Sequence, residues 1–134
     1  MNEYVFFRIN DRFKDLFSRD NLSAFLELYY RREESVFYKE QFREFLEKNR
    51  QREMMAYLKQ RLFGREEVEF QIDRILLSNE FNESNEVLII SDNYLTLKGD
   101  FKKSVFSKYL CEYDTNFLMI DINKKKIHRL ALVN

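Results

Sequence analysis

The chain has 134 residues with 23 acids balanced by 23 bases, and its aromatic content is high: fourteen Phe and eight Tyr, with no Trp. This length allows one domain and little more, and so much ring surface favours a packed core over disorder. Two Gly and no Pro exclude Gly-rich phosphate loops, collagen-like segments and Pro-rich linkers, while the zero net charge argues against a dedicated nucleic-acid binder.

Tyr4 to Ile9 is apolar and aromatic apart from Arg8 and reads as a strand. Asn10 or Asp11 then caps a short helix carrying Phe13, Leu16 and Phe17 at helical spacing. Asp20 and Asn21 supply a fresh cap for a helix on which Leu22, Phe25, Leu26, Tyr29 and Tyr30 keep the period. The charged run Arg31 to Glu34 is a loop. Ser35 to Glu47 is again helical, with Tyr38, Phe42, Phe45 and Leu46 on one face. From Glu47 to Glu53 there is no apolar residue, so a break or exposed turn is expected before a helix over Met54–Phe63, with Gly64 as its C′ residue.

The period then changes. Val68, Phe70 and Ile72 alternate with polar residues as in a half-buried strand. Ser78 to Asn85 reads as a polar loop, and Val87–Ile90 and Tyr94–Leu97 as a hairpin around Ser91, Asp92 and Asn93. Asp100 caps a helix burying Phe101, Val105, Phe106, Tyr109 and Leu110. Phe117–Ile122 is a strand dense enough in apolar residues to be central in the sheet. Asn123–Lys126 turns the chain into a final strand, Ile127–Val133. The expected fold is a single α+β domain over residues 1–134. A mostly antiparallel or mixed sheet of about five to six strands, the N-terminal strand plus the C-terminal ones, packs with about four to five helices.

Charge is uneven along the chain. Residues 66–93 hold eight acids and one base, whereas residues 94–134 hold eight bases and four acids, which suits either a protein-binding surface or solvated loops. Catalytic patterns are hard to find. One Cys and one His, 17 residues apart on different elements, do not make a zinc site. His128 reads as a surface histidine of an edge strand beside Lys126 and Arg129, and Cys111 as a small core residue. Asp121 with Lys124, or Asp92 with Lys98, are chance pairings in so charged a chain. The turn Lys124–Lys126 could touch phosphates, but it reads more simply as a soluble turn. Phe117–Ile122 lacks the Gly and clustered aromatics of a base-stacking strand. Neither an enzyme nor a cofactor is expected. The lone cysteine points to a reducing compartment, and with no signal-like stretch or membrane span in sight a cytoplasmic location is expected.

The short N-terminal helix stands out. Phe13, Leu16 and Phe17 share a face, with Arg12, Lys14 and Asp15 around it. Either all three point into the sheet, or an exposed ring beside charges serves as a protein-contact anchor.

Tyr4-Val-Phe-Phe-Arg-Ile, then Asn10-Asp11, Phe13 to Phe17 and Arg19-Asp20 at one end, and Phe117-Leu-Met-Ile-Asp-Ile-Asn-Lys-Lys-Lys126 at the other, resemble the SirA family, the sporulation inhibitors of DNA replication in Firmicutes. The order of elements is similar along nearly the whole length. The chain differs from the family in running straight from Ser18 to Arg19, where a Gly is usual, and in reading His128-Arg-Leu-Ala-Leu132 where the family has Gly-Trp-Leu-Asn-Pro. The resemblance implies a non-enzymatic protein without cofactor or metal that binds the N-terminal domain of the initiator DnaA. It implies a monomer in a one-to-one complex, with neither nucleic acid nor membrane as a direct partner. By position, Phe13 and Phe17 match the family's partner-contacting aromatics, and a further polar contact falls near Lys48 or Asn49. Leu16 and Arg12, beside those aromatics, complete the expected contact set. The alternative is a small nucleic-acid-binding domain using Lys124–Lys126 and the basic C-terminal half.

Overall fold

In the computed structural model, the described residues are 2–17, 21–65, 67–79 and 84–133. Strand β1 (Glu3–Arg8) explains the architecture. Its side chains alternate between faces, and Tyr4 and Phe6 on one side and Val5 and Phe7 on the other are all buried. A strand buried on both faces needs a layer above and below and a neighbour on each edge, which here are β5 (Leu95–Lys98) and β6 (Phe117–Asp121).

The other elements complete that arrangement. After β1 come the helices α1 (Leu22–Arg31), α2 (Val36–Glu44) and α3 (Gln51–Arg61). Strands β2 (Val68–Phe70), β3 (Arg74–Asn79) and β4 (Ser84–Ile90) lead to β5. The helix α4 (Val105–Tyr113) precedes β6, and β7 (Lys126–Arg129) runs into the helical turn α5 (Leu130–Val133). The seven strands lie in the order β2-β3-β4-β5-β1-β6-β7, and every pairing is antiparallel. The chain is therefore an α+β domain, with one more strand than the sequence suggests.

One face of the sheet, with Tyr4, Phe6, Leu88 and Leu97, packs on Met54 and Leu58 of α3, Phe106 and Leu110 of α4 and Leu130 of α5. The other, with Val5, Phe7, Leu118 and Ile120, packs on Phe25 of α1 and Phe42 of α2. Phe7 meets Phe42 edge to face at 5.1 Å between ring centroids, geometry that adds to the area the rings bury.

Several sequence expectations change. The extra strand is β3, where Ile75 and Leu77 are buried and pair with Leu88 and Glu86. The expected Ser78–Asn85 loop shrinks because β3 and β4 extend through Asn79 and from Ser84. Ile72, expected in a strand, is 93% exposed in the bend after β2. The expected helix at Phe13–Phe17 is a 3-10 turn at Asp11–Phe13 followed by turns, because so short a stretch does not repay helix nucleation. Asn10 caps it, its Oδ1 accepting the Arg12 amide at 3.1 Å. Asp20 lies outside the described residues. Asn21 is the N-cap residue of α1, its carbonyl accepting the Phe25 amide at 3.0 Å, but at φ 67° its side-chain amide donates to the Leu16 carbonyl at 3.0 Å and makes no cap bond.

Helix α2 stops at Glu44, short of the expected Glu47, because the chain leaves the helix to pair with the end of β1. Leu46 bridges Ile9, Asn10 donates to the Phe45 carbonyl, and Glu47 donates to that of Arg8. The apolar-free stretch is a break as expected, but α3 starts within it at Gln51 and ends at Arg61. Gly64, at φ 85°, sits two residues beyond the C-cap Leu62. The expected helix from Phe101 splits into a 3-10 turn capped by Asp100 and α4 capped by Ser104, whose Oγ accepts the Phe106 amide at 3.1 Å. Strand β6 is buried throughout, yet stands next to the edge strand β7 and not mid-sheet. The expected final strand ends at Arg129, because Leu130 turns into the core as the start of α5.

Candidate functional site

The segment after β1 separates the residues that sequence spacing groups together. Phe17 is only 4% exposed, its ring edge to face with Phe25 at 5.2 Å and Phe45 at 5.1 Å. As an exposed partner-binding anchor it is therefore corrected: its ring is a core group. Phe13 is half-buried, edge to face with Phe45 at 4.9 Å, and the Arg12 guanidinium stands 5.0 Å from its ring centroid. Leu16 takes the outward direction and is 45% exposed.

Lys48 and Asn49 belong elsewhere. Lys48 is exposed, and its carbonyl accepts the Arg8 guanidinium at 3.4 Å. Asn49 is 4% exposed; its side-chain amide donates to the Ser91 carbonyl at 2.8 Å and its backbone amide to that of Asp92 at 2.6 Å. Its Oδ1 is buried without a partner among the described residues. These bonds fasten the break between α2 and α3 to the β4–β5 turn, so Asn49 is a structural staple and not an exposed polar contact.

Around Leu16 the surface is concave. A groove of about 310 Å³ has Leu16 of the turn and Ala24 and Leu28 of α1 as its walls, and Phe17, Phe25 and Phe45 beneath. Asn21 and Gln41 supply polar groups at its margin, and the Asn21 amide is already committed to Leu16. Such a site receives apolar side chains, and among the described residues no acid–base pair lines it. The sequence contained a signal for it: Leu28 is apolar but off the stripe of Leu22, Phe25, Leu26 and Tyr29, and is nonetheless partly buried. Gln41 and Phe45 reach the groove only because α2 folds back on α1, which local spacing does not encode.

The remaining candidate groups have structural roles or lie apart. Asp121 is 8% exposed and its Oδ1 accepts the Lys124 amide at 3.1 Å, which shapes the β6–β7 turn. His128 lies on edge strand β7 opposite Met119, as expected, and is partly exposed. Cys111 is a free thiol, half-buried on α4 against the core. Among the described residues, no three His, Cys, Asp or Glu side chains converge as a metal-binding group, and no helix is long and apolar enough to cross a membrane.

Compared with known proteins, the chain matches no family model, and no curated protein is significantly similar to it.

Proposed function

We propose that this protein is a non-enzymatic, cytoplasmic inhibitor of replication initiation that binds the N-terminal domain of DnaA during sporulation. The observation that carries the reading is the apolar groove beside Leu16. It lies in the segment that the resemblance to SirA marks as partner-contacting, and its lining is mostly apolar, with Asn21 and Gln41 at the margin. In this reading an apolar side chain of DnaA enters between Leu16 and Leu28, the exposed edge of Phe13 extends the contact, and Arg12 and Lys14 set orientation from the rim. Phe17 acts from beneath by holding Leu16 outward.

Isothermal titration of the purified monomer against the DnaA N-terminal domain of the same organism tests this. Saturable one-to-one binding supports it, and absence of heat at several temperatures overturns it. The alternative nucleic-acid reading draws on the exposed Lys124, Lys125 and Lys126 at the β6–β7 turn; it requires binding to oligonucleotides that weakens steeply with salt.

A further inference from the structure

The two faces of the sheet are unequally covered. On one, the core runs from Val68 and Phe70 of β2 across to Met119 of β6 beneath α3 and α4. On the other, α1 and α2 cover β1, β6 and β7, while Leu76, Val87 and Ile89 belong to neither core and remain partly exposed. Their register makes them one platform: Leu76 is opposite Val87, and Ile89 opposite Thr96, which neighbours Val5 of β1. Where the platform meets the helices, a second groove of about 440 Å³ opens between Thr96 and Tyr94 on the sheet side and Tyr29, Lys39 and Arg43 on the helical side.

We propose that this uncovered half-face and its groove dock an acidic amphipathic helix of a protein partner, its apolar stripe on Leu76, Val87 and Ile89 and its acidic flank against Lys39 and Arg43. The inference concerns a different surface from the groove at Leu16 and stands independently of the DnaA reading.

Three features select this occupant. Strands β3, β4 and β5 are each paired on both sides, so no backbone group is free to add a strand, and a helix is the element that covers a flat sheet face. Three strands about 4.8 Å apart span a width of about 10–14 Å, which matches the diameter of one helix with its side chains. The charge then sets the flank. Of the other charged groups lining the groove, Arg32 is paired with Glu33 at 3.7 Å, and Glu3 stands on β1 opposite Lys98, which itself neighbours Val87. Lys39 and Arg43, one turn apart on α2, make no ion pair with any described residue. On the other side Glu69 of β2 lies opposite Leu76, and Arg74, opposite Ile89, is held by Asp73 at 3.0 Å. An occupant with acids toward α2 is therefore favoured in one orientation.

The test uses the full chain and three synthetic peptides of about 18 residues, long enough to run the length of β4. The first places Leu at helical spacing with Glu along one flank; the second replaces those Glu by Lys; the third has the first composition scrambled. Binding is read by fluorescence anisotropy and mapped by amide NMR shifts. The expected result is saturable binding of the first peptide only, with shifts confined to α2 and β3–β5. The double variant Lys39→Glu/Arg43→Glu, both exposed positions, should weaken it at least about tenfold, whereas Leu16→Asp should leave it unchanged. Equal binding of all three peptides, shifts centred on Leu16, or no binding by the first peptide would each overturn the proposal. Self-association of the chain abolished by Ile89→Lys would assign the face to a second copy and overturn it equally.

Discussion

Phe17 and Phe45 stand edge to face, their ring centroids 5.1 Å apart and their planes at 84°, and this contact ties the turn after β1 to the end of α2. The same Phe45 receives Phe13 at 90°, so two rings of the N-terminal segment converge on one residue at the far end of the helical pair. Phe17→Ala should therefore cost about 3–5 kcal/mol, the range for removing a buried phenyl ring. Leu16→Ala, one residue earlier and 45% exposed, should cost less than about 1 kcal/mol. Urea denaturation of both variants measures the difference, and equal stabilities would show that Phe17 is not packed in the core.

Binding should show the opposite order. Leu16→Asp places a charge on the wall of the apolar groove without disturbing a buried group, so it should leave the unfolding midpoint nearly unchanged. Under the proposed function, its affinity for the DnaA N-terminal domain should fall by about 2 kcal/mol or more, the loss typical of an interface anchor. If Leu16→Asp titrates like the parent protein, the groove is not the contact.

The division of roles between Leu16 and Phe17 illustrates what local spacing can and cannot tell. Spacings of three and four put Phe13, Leu16 and Phe17 on one face of a helix, but the 3-10 turn ends at Phe13 and the chain goes on as turns; Phe13 and Phe17 still meet the same Phe45, whereas Leu16 points out. Strand β1 was legible because its four consecutive large side chains, Tyr4 to Phe7, need burial on both faces whatever follows. Strand β3 was not. Ile75, Leu76 and Leu77 form a continuous apolar run without alternation, and only its pairing with β4 assigns Leu76 to the uncovered face. Asn49 enters only through the resemblance, as one of two places for a polar contact, and its burial follows from the β4–β5 turn more than 40 residues away in sequence, a contact no window along the chain contains. The groove at Leu16 was half legible for the same reason: its α1 wall is local, whereas its α2 wall depends on how two helices meet.

A long-range ion pair offers a third test. Arg8 Nε donates to Asp114 Oδ2 at 2.9 Å, with both side chains less than one-fifth exposed at 17% and 18%. The guanidinium also stands 5.4 Å from the Tyr113 ring centroid. The other carboxylate oxygen of Asp114 accepts the Asn116 amide at 2.8 Å. Asp114→Ala removes both acceptors and leaves Arg8 largely desolvated, so a loss of about 1.5–3 kcal/mol is expected, as for hydrogen bonds to charged groups. Thermal unfolding reads it directly. A change below about 0.5 kcal/mol would place the pair with exposed ion pairs that contribute little.

Glu86 provides a pH-dependent prediction. Its side chain is packed inward on β4, 5% exposed, with Oε1 lacking a partner among the described residues. Burial pushes its carboxyl above the ordinary value of 4.5, although hydrogen bonds from Ser104 and the Val105 amide at the start of α4 act the other way. Gly99 makes the close packing feasible: a Cβ there would lie 3.2 Å from the Glu86 Cγ and 3.2 Å from the Asn85 carbonyl oxygen. Because the folded state holds the proton more tightly than the unfolded chain, the folded state binds more protons in the window just above 4.5, and stability falls as pH rises through it. Glu86→Gln keeps the shape and removes the buried charge. The variant should be more stable than the parent at pH 7, and its advantage should shrink on acidification and disappear below about 4.5, where the carboxyl is protonated in both states. Chemical denaturation of the two proteins from pH 4 to pH 8 tests this. A stability difference that stays constant across that range would mean that the Glu86 charge is not what burial penalises.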